Sequence, residues 1–165
     1  MDAVDVGDLL GSPGASRRVR REEPLEGLAT ELAEVPADDP VRIELLLESV
    51  VEGIVASGPV SGRMRFRCAR CLKGFSEAFS VEVSELFAVD RTPDDEETYP
   101  VREGTIDLEP MVRDVVVLSM PFSPLCRDDC LGLCERCGGD RNAGECSCEP
   151  VVDARWAPLA GLDLD

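Results

Sequence analysis

The feature that most constrains this chain is a set of eight cysteines in short, regular spacings, with no histidine anywhere. They run Cys68-Ala69-Arg70-Cys71, then Cys126 and Cys130, then Cys134-Glu135-Arg136-Cys137-Gly138, and finally Cys146-Ser147-Cys148. Two residues between cysteines let both sulfurs turn toward one cation, and a following glycine relieves crowding where backbone amides approach the thiolates. One such pair alone is also the mark of a thioredoxin-like redox centre. Two of them, with four further cysteines nearby, favour tetrahedral zinc. Without histidine the shells must be built from thiolates. The expectation is two zinc ions, held by Cys68, Cys71, Cys126, Cys130, Cys134, Cys137, Cys146 and Cys148. Their partition is open. Grouping by adjacency puts Cys126, Cys130, Cys134 and Cys137 in one site and Cys68, Cys71, Cys146 and Cys148 in the other. Interleaved groupings fit the order equally well.

Closed four-thiolate shells stabilise structure and leave no position for a catalytic water. The absence of histidine also disfavours hydrolytic zinc chemistry, zinc deaminases and Ser-His or Cys-His nucleophiles. The chain is therefore expected not to be an enzyme. Each shell carries about two net negative charges, because zinc offsets only two of four thiolates. Arg67, Arg70 and Lys73 flank the first pair, and Arg127, Arg136 and Arg141 flank the later cysteines. They are read first as charge compensation around the thiolates and second as RNA contacts. A redox-sensing zinc-thiolate protein, losing metal on oxidation, is the alternative function.

The net charge is -17 and the pI near 4.3, which argues against a protein that coats nucleic acid by counterion release. No DNA partner is expected, and any RNA contact must be local. The start, Met1-Asp2-Ala3-Val4-Asp5-Val6, is acidic where a signal peptide needs positive charge. No apolar run approaches the roughly 18 residues of a membrane span. A cytoplasmic protein without membrane contact is expected, and in that reducing compartment short-spaced cysteines bind metal rather than form disulfides.

Along the chain, residues 1–23 contain Gly, Ser and Pro and the basic cluster Arg17-Arg18-Val19-Arg20-Arg21, and read as a flexible N-terminal arm. Residues 24–123 read as an α+β core and residues 124–165 as a cysteine-rich zinc-binding region with a C-terminal tail. Leu25, Leu28, Ala29 and Leu32 recur at helical spacing until Pro36. From Val41 to Ala56 an alternating apolar pattern changes phase near Ser49, predicting two strands or one bulged strand. Gly58-Pro59 and Gly62 punctuate the chain. Arg63, Arg65 and Arg67 then alternate with Met64, Phe66 and Cys68, the pattern of a half-buried strand with a basic exposed face. Phe79, Val81, Val83, Phe87 and Val89 alternate likewise, so the two stretches predict an antiparallel hairpin with cysteines near its tip. Asp94-Asp95-Glu96-Glu97 reads as an exposed loop.

A helix is predicted over residues 107–120, with Asp107 as N-cap, Pro110 in the first turn, and Leu108, Met111, Val112, Val115 and Val116 on one face. Val115-Val116-Val117-Leu118 is also compatible with a buried strand. Beyond Pro124 there is little core-forming periodicity, and metal must organise the chain. The fold class is α+β: an antiparallel β-sheet with a packed helix and a cysteine-rich zinc-binding C-terminal region.

These residues form an ordered set: Cys68-x-x-Cys71-Leu72, Ile106-Asp107-Leu108, Leu118-Ser119-Met120-Pro121, Pro124-Leu125-Cys126-x-x-x-Cys130-x-Gly132-Leu133-Cys134-x-x-Cys137-Gly138, Asn142, Cys146-Ser147-Cys148 and Asp153-x-Arg155-Trp156-x-x-Leu159. In this the chain resembles the YceD family of large ribosomal RNA subunit accumulation proteins, from about Val41 to Leu162. Arg141-Asn142 stands where such proteins usually have Leu-Asn, and Ala154 where proline is common; neither change removes a cysteine. The resemblance implies support of large ribosomal subunit assembly and of 23S ribosomal RNA accumulation. The implied partners are a ribosomal protein, an assembly factor or large-subunit ribosomal RNA. Members lacking part of the cysteine set imply that zinc supports the fold without being the shared activity. Asp153, Arg155 and Trp156 read as a packing plug for the sheet or as a partner-binding tail.

Overall fold

A computed structural model describes residues 1–90, 98–148 and 155. The structure is mostly β-sheet with one helix. Eight strands are β1 (Val4–Asp5), β2 (Ser16–Glu23), β3 (Ala33–Glu34), β4 (Val41–Ser49), β5 (Gly53–Arg67), β6 (Gly74–Ala88), β7 (Tyr99–Arg102) and β8 (Thr105–Ile106). Helix α1 spans Glu109–Ser119, and a single 3-10 turn spans Arg141–Ala143. The sheet order is β1-β8-β7-β6-β5-β4-β2, with β3 paired to β5.

The β5–β6 hairpin is the spine. Fifteen residues on each strand pair from Gly53↔Ala88 to Arg67↔Gly74, and the connection at residues 68–73 carries Cys68 and Cys71. Alternation dictates the faces: Ile54, Ala56, Val60, Met64 and Phe66 point inward with Val41, Ile43, Leu45 and Leu47 of β4, while Arg63, Arg65 and Arg67 stay exposed. The phase change near Ser49 is the turn between two strands, so residues 41–56 are two strands and not one bulged strand. Gly58-Pro59 does not interrupt β5. Its ladder with β4 skips both residues, since proline has no N–H to give. At Gly58 (φ 139°) an added Cβ would lie 2.3 Å from the Glu44 carbonyl oxygen, so only glycine fits.

Three expectations need correction. The stretch read as a flexible arm contains β2, paired with β4 along its length from Ser16↔Glu48 to Glu23↔Val41. Val4, Val6 and Leu9 from the same stretch are buried in the core. The helical spacing after Pro24 produces no helix: Gly27 adopts φ 72°, Ala29 bridges Glu34, and Leu25 and Leu28 are buried from turns. The sheet is also mixed, not purely antiparallel, because β6 and β7 pair in parallel through Phe87↔Tyr99 and Ala88↔Pro100. The connecting residues include the acidic run Asp94 to Glu97, which lies outside the described residues.

The valine-rich stretch is helical. Its N-cap is Leu108, one residue later than expected, and the Asp107 carboxylate accepts from the Glu109 N–H at 3.0 Å. Met111, Val112 and Val116 are buried, and Leu108 joins them in the core. Glu109 accepts from the Met1 ammonium at 2.9 Å and from Arg113 at 2.9 Å. Met120 is extended, as a residue before proline prefers, and ends the helix. No helix among the described residues is long and apolar enough to cross a membrane.

Candidate metal centres

The hairpin tip and the segment after the helix build the first cluster together. Residues 68–73 form a tight turn in which Leu72 N–H donates to Cys68 O at 2.9 Å and Cys68 N–H donates to Lys73 O at 2.9 Å. Ala69 N–H donates to Pro124 O at 2.8 Å, which draws Cys126 and Cys130 toward the hairpin. The second cluster repeats the turn: Gly138 N–H donates to Cys134 O at 2.8 Å and Cys134 N–H to Gly139 O at 2.9 Å. Leu72 (φ 60°) and Gly138 (φ 71°) both follow the second cysteine in the left-handed conformation.

The eight cysteines fall into two groups of four, Cys68, Cys71, Cys126 and Cys130, and Cys134, Cys137, Cys146 and Cys148. Within each group all sulfurs lie within 4.8 Å of one another, and each group can hold a metal ion. Grouping by adjacency is not what the fold produces. Cys126 and Cys130 turn back to the hairpin pair, because the Pro124 carbonyl is anchored there, and Cys134 and Cys137 close on the later pair. In the first group the Cys68 and Cys130 sulfurs are 3.8 Å apart and those of Cys71 and Cys126 are 3.6 Å apart. Tetrahedral zinc with bonds near 2.3 Å would set sulfurs about 3.8 Å apart, so the group fits the ion.

Ionisation is uneven within each cluster. Burial opposes ionisation of Cys68, but N–H groups of Cys126, Cys71 and Arg70 outweigh it and lower its pKa to about 6. Burial pushes Cys126 up to about 12, aided by the crowding sulfurs of Cys71, Cys68 and Cys130. In the second cluster the N–H groups of Cys137 and Arg136 lower Cys134 to about 6. Its neighbours Cys137, Cys146 and Cys134 push Cys148 up to about 12. Four sulfurs in contact cannot all ionise unless a cation neutralises them.

The flanking cations divide. Arg70 Nη1 donates to Cys130 O at 2.9 Å, and the Cys134 sulfur raises the pKa of the Arg141 guanidinium. Lys73 pairs with Asp140 at 2.6 Å. Arg127 donates to Asn142 Oδ1 at 2.7 Å and pairs with Asp129. Arg67 and Arg136 are exposed.

Sequence reasoning assigned no role to Asp140 and gave Asn142 only as part of a motif. Asn142 Nδ2 donates to the Cys130 sulfur at 3.5 Å and to Asp140 Oδ1 at 2.8 Å, while its Oδ1 accepts from Leu131 N–H at 2.8 Å. The available signal was an Asp-x-Asn unit set between ligands, a common way to close a polar turn. Asp153 and Trp156 lie outside the described residues.

The model of a family described as "Large ribosomal RNA subunit accumulation protein YceD" matches residues 56–163. An uncharacterized protein of Mycobacterium tuberculosis (strain ATCC 25618 / H37Rv) is 35% identical over 96% of this chain and 80% of its own length. One from Mycobacterium leprae (strain TN) is 31% identical over 96% of this chain and 76% of its own length. A Zea mays protein described as "Large ribosomal RNA subunit accumulation protein YCED homolog 1, chloroplastic" is 31% identical over 42% of this chain and 24% of its length. No solved structure matches the chain. With the matched segment running from β5 through all eight cysteines, and more than half of the chain inside it, this protein belongs to the YceD family.

Proposed function

We propose that this protein is a non-enzymatic, cytoplasmic zinc-binding factor that supports assembly of the large ribosomal subunit and accumulation of its 23S RNA. The family match over residues 56–163 carries the ribosomal part of this reading. The metal part rests on two groups of four sulfurs, all within 4.8 Å of one another in each group, and on spacings of 3.8 and 3.6 Å in the first that suit zinc. In it Cys68, Cys71, Cys126 and Cys130 hold one ion and Cys134, Cys137, Cys146 and Cys148 the other. Zinc bound there would neutralise and cross-link thiolates. Both shells would be complete, so the metal serves structure.

The partner is proposed to be a basic ribosomal protein or an assembly factor, in preference to ribosomal RNA itself. A chain of charge -17 repels phosphate and attracts basic proteins. The exposed arginines of β5 are also partly neutralised: Arg63 pairs with Asp39 at 3.7 Å, and Arg65 with Asp38 at 3.0 Å and Glu34 at 3.8 Å. Sedimentation with large-subunit precursors tests this. Replacing Arg63, Arg65 and Arg67 together by glutamine should leave co-sedimentation nearly intact, and neutralising Asp94, Asp95, Glu96 and Glu97 should weaken it. The reverse result makes direct RNA binding the better account.

One observation favours a second reading, a redox-sensing zinc-thiolate protein: Cys137 and Cys148 are exposed, where an oxidant reaches sulfur. Mild peroxide that releases zinc and alters association with the precursors would support it.

A further inference from the structure

The two sulfur groups differ in surroundings. Cys68, Cys71 and Cys130 are buried and pack with Phe75 and Leu125. In the other group Cys137 and Cys148 are exposed and only Cys134 is buried. Asp140 and Asn142 lie between Cys137 and Cys146, within the loop that the exposed group closes, yet their side chains reach toward the buried group. Asp140 is 7% exposed; its carboxylate pairs with Lys73, two residues after Cys71, and accepts from both the backbone and side-chain N–H of Asn142. Asn142 in turn donates to the Cys130 sulfur at 3.5 Å. The Arg141–Ala143 turn, which Asp140 caps and Asn142 belongs to, has no buried residue of its own, so closure of the loop around an ion would add to the order supplied by its hydrogen bonds to Gly132 and Leu131.

We propose that Asp140 and Asn142 couple the two centres: the exposed centre gives up its ion first, and its emptying withdraws the Asn142 donor and loosens the buried centre's hold. This rests on reading both groups as zinc centres. A donor to a ligating thiolate spreads its charge and fixes its direction, and losing such a partner typically weakens metal binding tenfold to a hundredfold. Asn142 is thus a positioning residue for a centre to which it contributes no ligand. Exchange with free zinc replaces one ion by another at the same thiolates, with no change of oxidation state.

The test uses the full chain, reduced and loaded with isotopically labelled zinc, mixed anaerobically with excess unlabelled zinc, which keeps the exposed centre occupied while the buried one exchanges. The label should leave in two phases of one equivalent each, the fast one from the exposed centre. Asn142→Asp keeps the oxygen that Arg127 and Leu131 N–H use but removes the donor to sulfur; it should speed the slow phase about tenfold and leave the fast phase unchanged. The double variant Cys137→Ser/Cys148→Ser should retain one ion and lose it faster than the wild-type slow phase. Loss of both labels in one phase, a fast phase that survives in the double variant, or an unchanged slow phase in either variant would overturn the coupling. A loaded wild-type protein without zinc would instead overturn the metal reading itself, and the coupling with it.

Discussion

Leu72 and Gly138 occupy equivalent places in two copies of one cysteine turn, and only the second copy has the residue that suits a left-handed backbone. Leu72 is 53% exposed, so its left-handed backbone carries only the local crowding of its Cβ against the chain's own carbonyl, about 1–2 kcal/mol. At the other end of the molecule, Tyr99 donates to the Asp114 carboxylate at 2.8 Å and stacks against Phe87 with ring centroids 5.4 Å apart. Burial, then the hydrogen bond to Asp114 and its negative charge, hold the Tyr99 hydroxyl well above its ordinary pKa. A raised folded-state pKa means that this contribution to stability is complete below about pH 10 and is lost as pH rises beyond it. The chain has one tyrosine, so tyrosinate absorbance reads this residue alone. Its midpoint should lie above the ordinary value of about 10, and Asp114→Asn should lower it without fully restoring that value. A wild-type midpoint near 10 would show that the contact is absent in solution.

At the scale of elements, β2 turns a supposed arm into part of the sheet. Arg17, Val19, Arg21 and Glu23 face the half-buried side, while Ser16, Arg18, Arg20 and Glu22 face out. Arginine stems can cover apolar surface while their heads stay wet, which is why a strand of this composition pairs with β4. Arg17 reaches Asp8 and Arg21 the Asp2 carbonyl, tying the first residues down. Leu9→Ala should therefore cost about 2–5 kcal/mol in denaturant unfolding, the range for a buried leucine. In a mobile arm it would cost nothing, so an unchanged midpoint would refute the packing. The β5–β6 hairpin and α1 were legible because alternation and helical spacing each persisted long enough to fix a face. β2 was not, because charge masks alternation. Residues 25–32 misled because four apolar positions match a helix even when turns bury them. The cysteine spacing named the ligand candidates but not their grouping, since a partition depends on which backbone carbonyl anchors which turn.

At the scale of the whole molecule, the sheet supplies one half of a candidate metal centre and the segment after the helix supplies the other. Cys68 and Cys71 project from the hairpin tip, and Cys126 and Cys130 arrive from the far side of α1, so the first ion would staple the C-terminal segment to the core. The second group lies wholly within that segment. Such an arrangement suits a region with few buried apolar side chains of its own, where metal binding would stand in for a core. The acidity of the chain belongs to the same scale: it would favour basic partners, while internal ion pairs such as Arg65 with Asp38 keep the basic strand face partly neutral. The claim on which the account rests is that eight thiolates form two closed zinc shells. X-ray absorption at the zinc edge, with the metal quantified on protein purified under reducing conditions, tests it most directly. The account predicts two zinc ions per chain, each with four sulfurs at about 2.3 Å. Less than one zinc per chain, or a shell with nitrogen or oxygen in place of sulfur, would contradict it.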